Sequence, residues 1–202
     1  MIDAIIFDFG DVFINLEKDR CAKAFLKLGL SAFTAEIYNQ NENYEKGLID
    51  ETTFLRTFQK CIPSATLPHI KAAWNTVLGD FPQERLDFVQ NLSRKYRLFL
   101  LSNTDKTHIQ HFEATVGVPF CTAFYNCFEQ VFYSYELQLR KPDAAVFIKI
   151  ITENNLSIKN TLFVDDKKQN TDAAQLLGMP VWNLQVGQEE VTDLAKKSFF
   201  NT

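Results

Sequence analysis

The chain has 202 residues, 46% of them hydrophobic and 23% charged, which suits one domain with a substantial core and room for a modest insertion. A formal net charge of −4 gives no reason to expect nucleic acid or an anionic membrane as partner, so an anionic substrate would need a local positive site. No apolar run approaches the roughly 20 residues of a spanning helix. Met1-Ile2-Asp3-Ala4 enters a strand pattern at once, without a basic, cleavable leader. The four cysteines (Cys21, Cys61, Cys121, Cys127) form no CxxC pair and no zinc spacing. They read as reduced, mostly buried small hydrophobes in a cytoplasmic protein.

Residues 3–8 form a β-branched and aromatic run suited to a buried strand. From 16 to 80 the apolar spacing turns helical. Cys21, Ala24, Phe25 and Leu28 recur at three and four before Gly29 stops the helix, and Ser31 and Asp50 are expected N-caps of later helices. After Gly79-Asp80-Phe81-Pro82 helices and strands alternate: a helix from Pro82 to about Lys95, strand 97–101, a helix near 105–115, and a strand at 129–133. A helix starting at Pro142, strand 161–164, a helix ending at Gly178 and a short strand at Val181-Trp182 complete the series. This alternation predicts an α/β fold with a Rossmann-like parallel sheet covered on both faces. Residues 16–80 do not fit it, so they are expected to form an α-helical cap, with 1–15 and 81–202 as the core. The 19 Phe, including those between Phe124 and Tyr133, are read as packing.

In a parallel sheet, ligands bind beyond the carboxyl ends of the strands. Asp8 follows the first strand, Ser102 ends the second, and Asp165-Asp166 follow Val164. Lys141, before Pro142, lies on a loop between elements. Each has a plain reading: Asp8 as a turn residue, Ser102 as a helix N-cap, Lys141 as a surface cation. Together they supply what phosphoryl transfer needs. A carboxylate can attack phosphorus, a hydroxyl at a helix N-terminus can bind phosphate, and a fixed ammonium neutralises charge. Gly10 lets backbone amides approach an anion. The all-oxygen set of Asp8 with Asp165 and Asp166 points to Mg²⁺ rather than zinc, and Asn170 is placed to orient these carboxylates. His108 and His111 share a helix face but lack a third ligand, so a metal site is disfavoured and His108 is expected at the rim or facing the cap.

Four motifs in order, Asp8-Phe9-Gly10-Asp11-Val12, Ser102-Asn103-Thr104, Lys141-Pro142 and Asp165-Asp166 with Asn170, resemble the haloacid dehalogenase superfamily, especially its phosphatases with a helical cap after the first motif. Leu101-Ser102-Asn103-Thr104 and Leu139-Arg140-Lys141-Pro142 look like the branch with sugar-phosphate phosphatases and the phosphatase domain of epoxide hydrolases. The resemblance implies a catalytic set of Asp8 as nucleophile, Ser102 and Lys141. It implies Mg²⁺ held by Asp8, the Gly10 carbonyl and Asp166, with Asp165 and Asn170 in support. Gly10, Asp11, Ser102, Asn103 and Lys141 are the expected phosphate-binding residues. A small phosphorylated metabolite, with sugar phosphates among the candidates, is the implied substrate, and the cap reads its leaving group.

One departure stands out: the family's usual second Asp, two positions after the nucleophile, is Gly10 here. A missing general acid typically costs about 10²–10⁴-fold in rate. Asp11 could substitute only if its loop turned inward. The alternatives are a phosphate-binding regulatory protein with weak or no turnover, for which Gly10 is the best support, and a 2-haloacid dehalogenase, against which Asp166 and Lys141 argue. Oligomeric state is not legible.

Overall fold

The computed structural model describes residues 2–200. Its sheet comprises β1 (Ala4–Phe7), β2 (Arg97–Ser102), β3 (Gln130–Tyr133), β4 (Thr161–Asp165) and β5 (Val181–Asn183), all parallel in the order β3-β2-β1-β4-β5. The helices are α1 (Lys18–Lys27), α2 (Ala35–Glu45), α3 (Glu51–Cys61), α4 (Leu67–Asn75), α5 (Gln83–Leu92), α6 (Lys106–Tyr125), α7 (Ser134–Leu137), α8 (Ala144–Glu153) and α9 (Lys168–Leu176).

The central strands are apolar on both faces, as a doubly covered parallel sheet requires. Ile5, Phe7, Leu98, Leu100, Leu162 and Val164 point to one face, where Leu86 and Val89 of α5 and Phe112 and Phe124 of α6 cover them. Ile6, Phe99, Leu101 and Phe163 point to the other, against Val146, Phe147 and Ile150 of α8 and Ala174 of α9. Most of the phenylalanines are consumed in this packing. Phe9, Phe13, Phe81, Phe112 and Phe124 form a cluster of edge-to-face and stacked rings. Phe124, Phe128, Phe132 and Tyr133 are all buried.

Between β1 and α5, helices α1–α4 enclose a separate apolar core built on Phe25, Phe54, Phe58 and Ile70. The outgoing and returning chains meet there: Leu16 bridges Leu78 antiparallel, and Glu17 N–H donates to Val77 O at 2.7 Å. Gly79 is required at that crossing, since a Cβ there would lie 2.8 Å from the Asn15 carbonyl oxygen.

Several local expectations need correction. Ser31 is not a cap; Thr34 begins α2, its hydroxyl accepting from Ile37 N–H at 3.2 Å. Asp50 does cap α3, accepting from Thr53 N–H at 2.7 Å. The helix expected to end near 115 resumes beyond a break at Gly117 (φ 80°, ψ 165°), because the following Phe120 and Phe124 pack into the core. The helix expected to start at Pro142 begins at Ala144, and the one-turn α7 is an addition. Cys21 and Cys127 are buried, but Cys61 is exposed at the end of α3.

Candidate active site

β1, β2 and β4 are neighbours, so the residues at their carboxyl ends converge. Asp8 leaves β1 with its N–H bonded to Val164 O at 2.9 Å, Ser102 ends β2, and Asp165 ends β4. Lys141 reaches them from the loop before α8. Its ammonium, 1% exposed, donates to Asp8 Oδ1 at 2.7 Å, Asp165 Oδ2 at 2.7 Å and the Leu101 carbonyl at 2.8 Å. Three donors thus meet three acceptors. Asn103 fixes the Lys141 backbone, its Oδ1 accepting from Lys141 N–H at 2.9 Å and its Nδ2 donating to Lys141 O at 2.8 Å.

The paired aspartates are in different states. Asp165 is fully committed: Oδ1 accepts from Lys167 N–H at 2.7 Å, Oδ2 from Lys141, and Asn170 Nδ2 lies 3.1 and 2.9 Å from the two oxygens. Asp166 Oδ1 is buried without a hydrogen-bond partner. Carboxylate oxygens of Asp8, Asp165 and Asp166 lie within 4.8 Å of one another. Burial, with Asp165 adding to it, raises the Asp166 pKa, and burial pushes that of Asp8 up to about 7 against the pull of Lys141. For Lys141 burial works against the charge, but Asp165 and Asp8 outweigh it and hold the ammonium charged. Three carboxylates against one ammonium leave excess negative charge, and one orphaned carboxylate oxygen faces it. A hard divalent cation fits both facts.

These residues form the floor of a cavity of about 400 Å³. Asp8, Gly10, Ser102, Asn103, Lys141, Asp166 and Asn170 line it, and Tyr38, Asn41, Glu45, Trp74, Val77 and Leu78 wall it from the α1–α4 side. Asp165 lies behind the floor, fully buried. Asp11 does not line the cavity. Its residue takes a left-handed φ of 57° and its N–H donates to Ile14 O at 2.7 Å; its carboxylate accepts from Leu16 N–H at 2.9 Å and Lys18 Nζ at 2.8 Å. Gly10 is packed: a Cβ there would lie 2.9 Å from Leu16 Cδ1. His108 faces the α1–α4 side, stacked on Trp74, while His111 is exposed.

Sequence reasoning missed several contributors. Asn183, at the end of β5, donates from Nδ2 to Asp166 O at 2.8 Å and Asp165 O at 3.2 Å, holding that turn. Its signal was available, since a polar residue ending a parallel strand lies on the ligand-binding edge. Asn41, Glu45 and Trp74 carried no such signal; only the packing of α2 and α4 over the sheet brings them to the cavity.

The sequence matches the haloacid dehalogenase-like hydrolase family over residues 2–178, and the chain belongs to that family. It is 27% identical to the D-ribitol-5-phosphate phosphatase of Bacteroides thetaiotaomicron, over 94% of this chain and 95% of that protein. Among solved structures it is similar to a HAD family enzyme of Bacteroides thetaiotaomicron in its magnesium complex, with 31% identity, a TM-score of 0.86, and 97% and 99% of the two chains covered. A HAD-like hydrolase of Porphyromonas gingivalis shares the fold, at 24% identity, a TM-score of 0.85 and 97% coverage of each chain.

Proposed function

We propose that this protein is a Mg²⁺-dependent phosphatase of a small phosphorylated metabolite, working through an aspartyl-phosphate on Asp8. The observation that carries the reading is Lys141, whose buried ammonium is held between Asp8 and Asp165 beneath a cavity floored by Ser102. The similarity to a D-ribitol-5-phosphate phosphatase and to an enzyme solved with magnesium supports the ester class and the metal. Asp8, the Gly10 carbonyl and Asp166 would hold Mg²⁺, with Asp165 and Asn170 in support. Bound there, the ion would neutralise the carboxylates and polarise the phosphoryl oxygens.

The remaining steps belong to this chain. Ser102 binds and orients the phosphoryl group, Lys141 offsets its charge from beside Asp8, and Asn103 acts by positioning Lys141. The Asp8 carboxylate attacks phosphorus, and the bond to the leaving oxygen breaks. Water then attacks the aspartyl-phosphate, releasing phosphate and restoring the carboxylate. No carboxylate occupies position 10, so a water or a residue of the cap has to protonate the leaving oxygen, unless the leaving group is good enough to depart without it. Residues 16–80 act as the cap over this core of 1–15 and 81–202, and α2 and α4 close the cavity. The free thiols fit a cytoplasmic setting, and no helix among the described residues is long and apolar enough to cross a membrane.

Phosphate release from phosphorylated sugars and an aryl phosphate, with Mg²⁺ and with chelator, tests this. Metal-dependent release that is lost in Asp8→Asn is expected. A folded, Mg²⁺-binding protein that releases nothing would instead be a phosphate-binding protein, with Gly10 as the reason.

A further inference from the structure

We infer that Asn41 selects the leaving group, accepting a hydrogen bond from an uncharged, hydroxylated tail of the phosphate ester. The inference rests on the phosphatase reading above and specifies its substrate class.

Asn41 lies on α2 and lines the cavity. Its Nδ2 donates to Glu45 Oε1 at 3.1 Å. A carboxylate only accepts, so the amide is not free to flip, and its oxygen must face away from Glu45. That oxygen is buried and has no partner. A buried acceptor without a donor is unfavourable until something supplies one. The amide torsion is broad, so a modest rotation that keeps Nδ2 on Glu45 can bring Oδ1 toward a donor in the cavity.

The geometry is tied to the phosphate end. Glu45 Oε2 accepts from Arg140 Nη2 at 2.8 Å, and Arg140 is covalently joined to Lys141. The Asn41 amide and the Lys141 ammonium are therefore referenced to the same loop. Between them, Leu16, Trp74, Val77 and Leu78 offer apolar surface that suits the C–H faces of a carbon chain.

Charge decides the kind of tail. Asn41 and Glu45 put an amide and a carboxylate on this wall, acceptors that a hydroxyl can donate to, whereas a second carboxylate or phosphate offers no donor to either. Of the cations near this wall, Arg140 is paired with Glu42 and Glu45 and Lys18 with Asp11, while Lys167 lines the cavity next to Asp166 at the phosphate end. A phosphorylated alditol or neutral sugar fits this wall, whereas a phosphorylated sugar acid does not.

The test compares a pentitol phosphate, the aldonic acid phosphate of equal chain length, and an aryl phosphate. The wild-type protein is expected to favour the pentitol ester over the aldonate ester by about tenfold or more in kcat/KM. Asn41→Leu should lower the ratio of kcat/KM for pentitol ester to aryl ester by roughly three- to tenfold, mainly through KM. Glu45→Gln frees the Asn41 amide to flip and removes the carboxylate from this wall, so it should lower that ratio less and improve the aldonate ester. Should Asn41→Leu fail to fold, Glu45→Gln carries the comparison. An unchanged ratio in both variants, or equal use of the two esters by wild type, overturns the inference.

Calorimetric binding of the pentitol phosphate to Asp8→Asn protein, with and without Asn41→Leu, separates the two readings. Binding weakened by Asn41→Leu in a protein that never hydrolyses the aryl ester would overturn the phosphatase reading and sustain this one. Binding indifferent to Asn41 beside normal aryl ester turnover would do the reverse.

Discussion

The Trp74 indole lies flat over the His108 ring, centroids 4.9 Å apart and planes inclined by 15°, which joins α4 to the first turn of α6. His108 Nδ1 is 3.1 Å from Asp105 Oδ2, and its Nε2 is 3.2 Å from the Trp74 carbonyl oxygen. Both partners only accept, so both contacts are hydrogen bonds only when the ring is an imidazolium. Trp74 Nε1 donates to the same Asp105 carboxylate at 3.0 Å, closing the network across the α1–α4 boundary.

This network predicts a pH-dependent stability. Burial disfavours the charged ring, but Asp105 outweighs it, and the Trp74 carbonyl and Glu45 on α2 add to the pull, so the His108 pKa is raised above 6.5. His111, one turn further along α6, is the like charge nearby; burial and His108 lower its pKa. A raised folded pKa gives stability that is fully present below the unfolded value and lost as pH rises through the folded one. Thermal melts from about pH 6 to about pH 9 should therefore show a decline that His108→Gln removes. At the acid end of that range the variant should be less stable by about 3 kcal/mol, because a buried carboxylate loses its partner. Parallel melting curves for the two proteins would refute the assignment.

Lys141 predicts a coupled loss of stability and chemistry. Lys141→Met leaves the buried Asp8 and Asp165 carboxylates without their shared cation. Urea denaturation should register a loss of about 3–5 kcal/mol, and phosphate release should fall to background. Lys141→Arg should not rescue it, since a planar fork cannot meet three acceptors arranged around a point charge.

Gly10 and Leu16 predict a paired substitution. In Gly10→Asp the new Cβ meets the flexible end of the Leu16 side chain, Cδ1 at 2.9 Å, which has to shift to admit it. Gly10→Asp with Leu16→Ala removes that obstruction. If the missing proton donor limits the rate, Gly10→Asp should gain on esters with poor leaving groups, by up to about 10²–10⁴-fold, and the double variant at least as much. An aryl phosphate should respond far less.

Asn170 and Asn183 predict the metal dependence. Neither is expected to touch the ion; one holds the Asp165 side chain, the other the Asp165 and Asp166 carbonyls. Replacing either by Ala should raise the Mg²⁺ concentration for half-maximal phosphate release by about 10–100-fold. Titrating Mg²⁺ back after chelation measures this, and recovery at saturating Mg²⁺ separates it from a folding defect.

Much of this protein was legible in its sequence because the relevant signals are local. The apolar runs ending at Phe7, Leu101 and Val164 specify buried strands, and their order with the intervening helices leaves a parallel sheet as the consistent arrangement. A parallel sheet then brings Asp8, Ser102 and Asp165 to one edge, because its carboxyl ends share one side. Helical spacing likewise predicts the helices that lie between β1 and α5. What the tertiary structure alone decided depends on side-chain direction and on packing between distant segments. The left-handed turn at Asp11 sends its carboxylate to Leu16 and Lys18 rather than to the cavity. The division of labour between Asp165, saturated, and Asp166, with an orphaned oxygen, follows from which neighbour Lys141 and Asn170 reach. Asn41, Glu45 and Trp74 face the cavity floor only because α2 and α4 pack over it, through contacts such as Trp74 with Asp105 across 31 residues and Glu45 with Arg140 across 95, which no periodicity encodes.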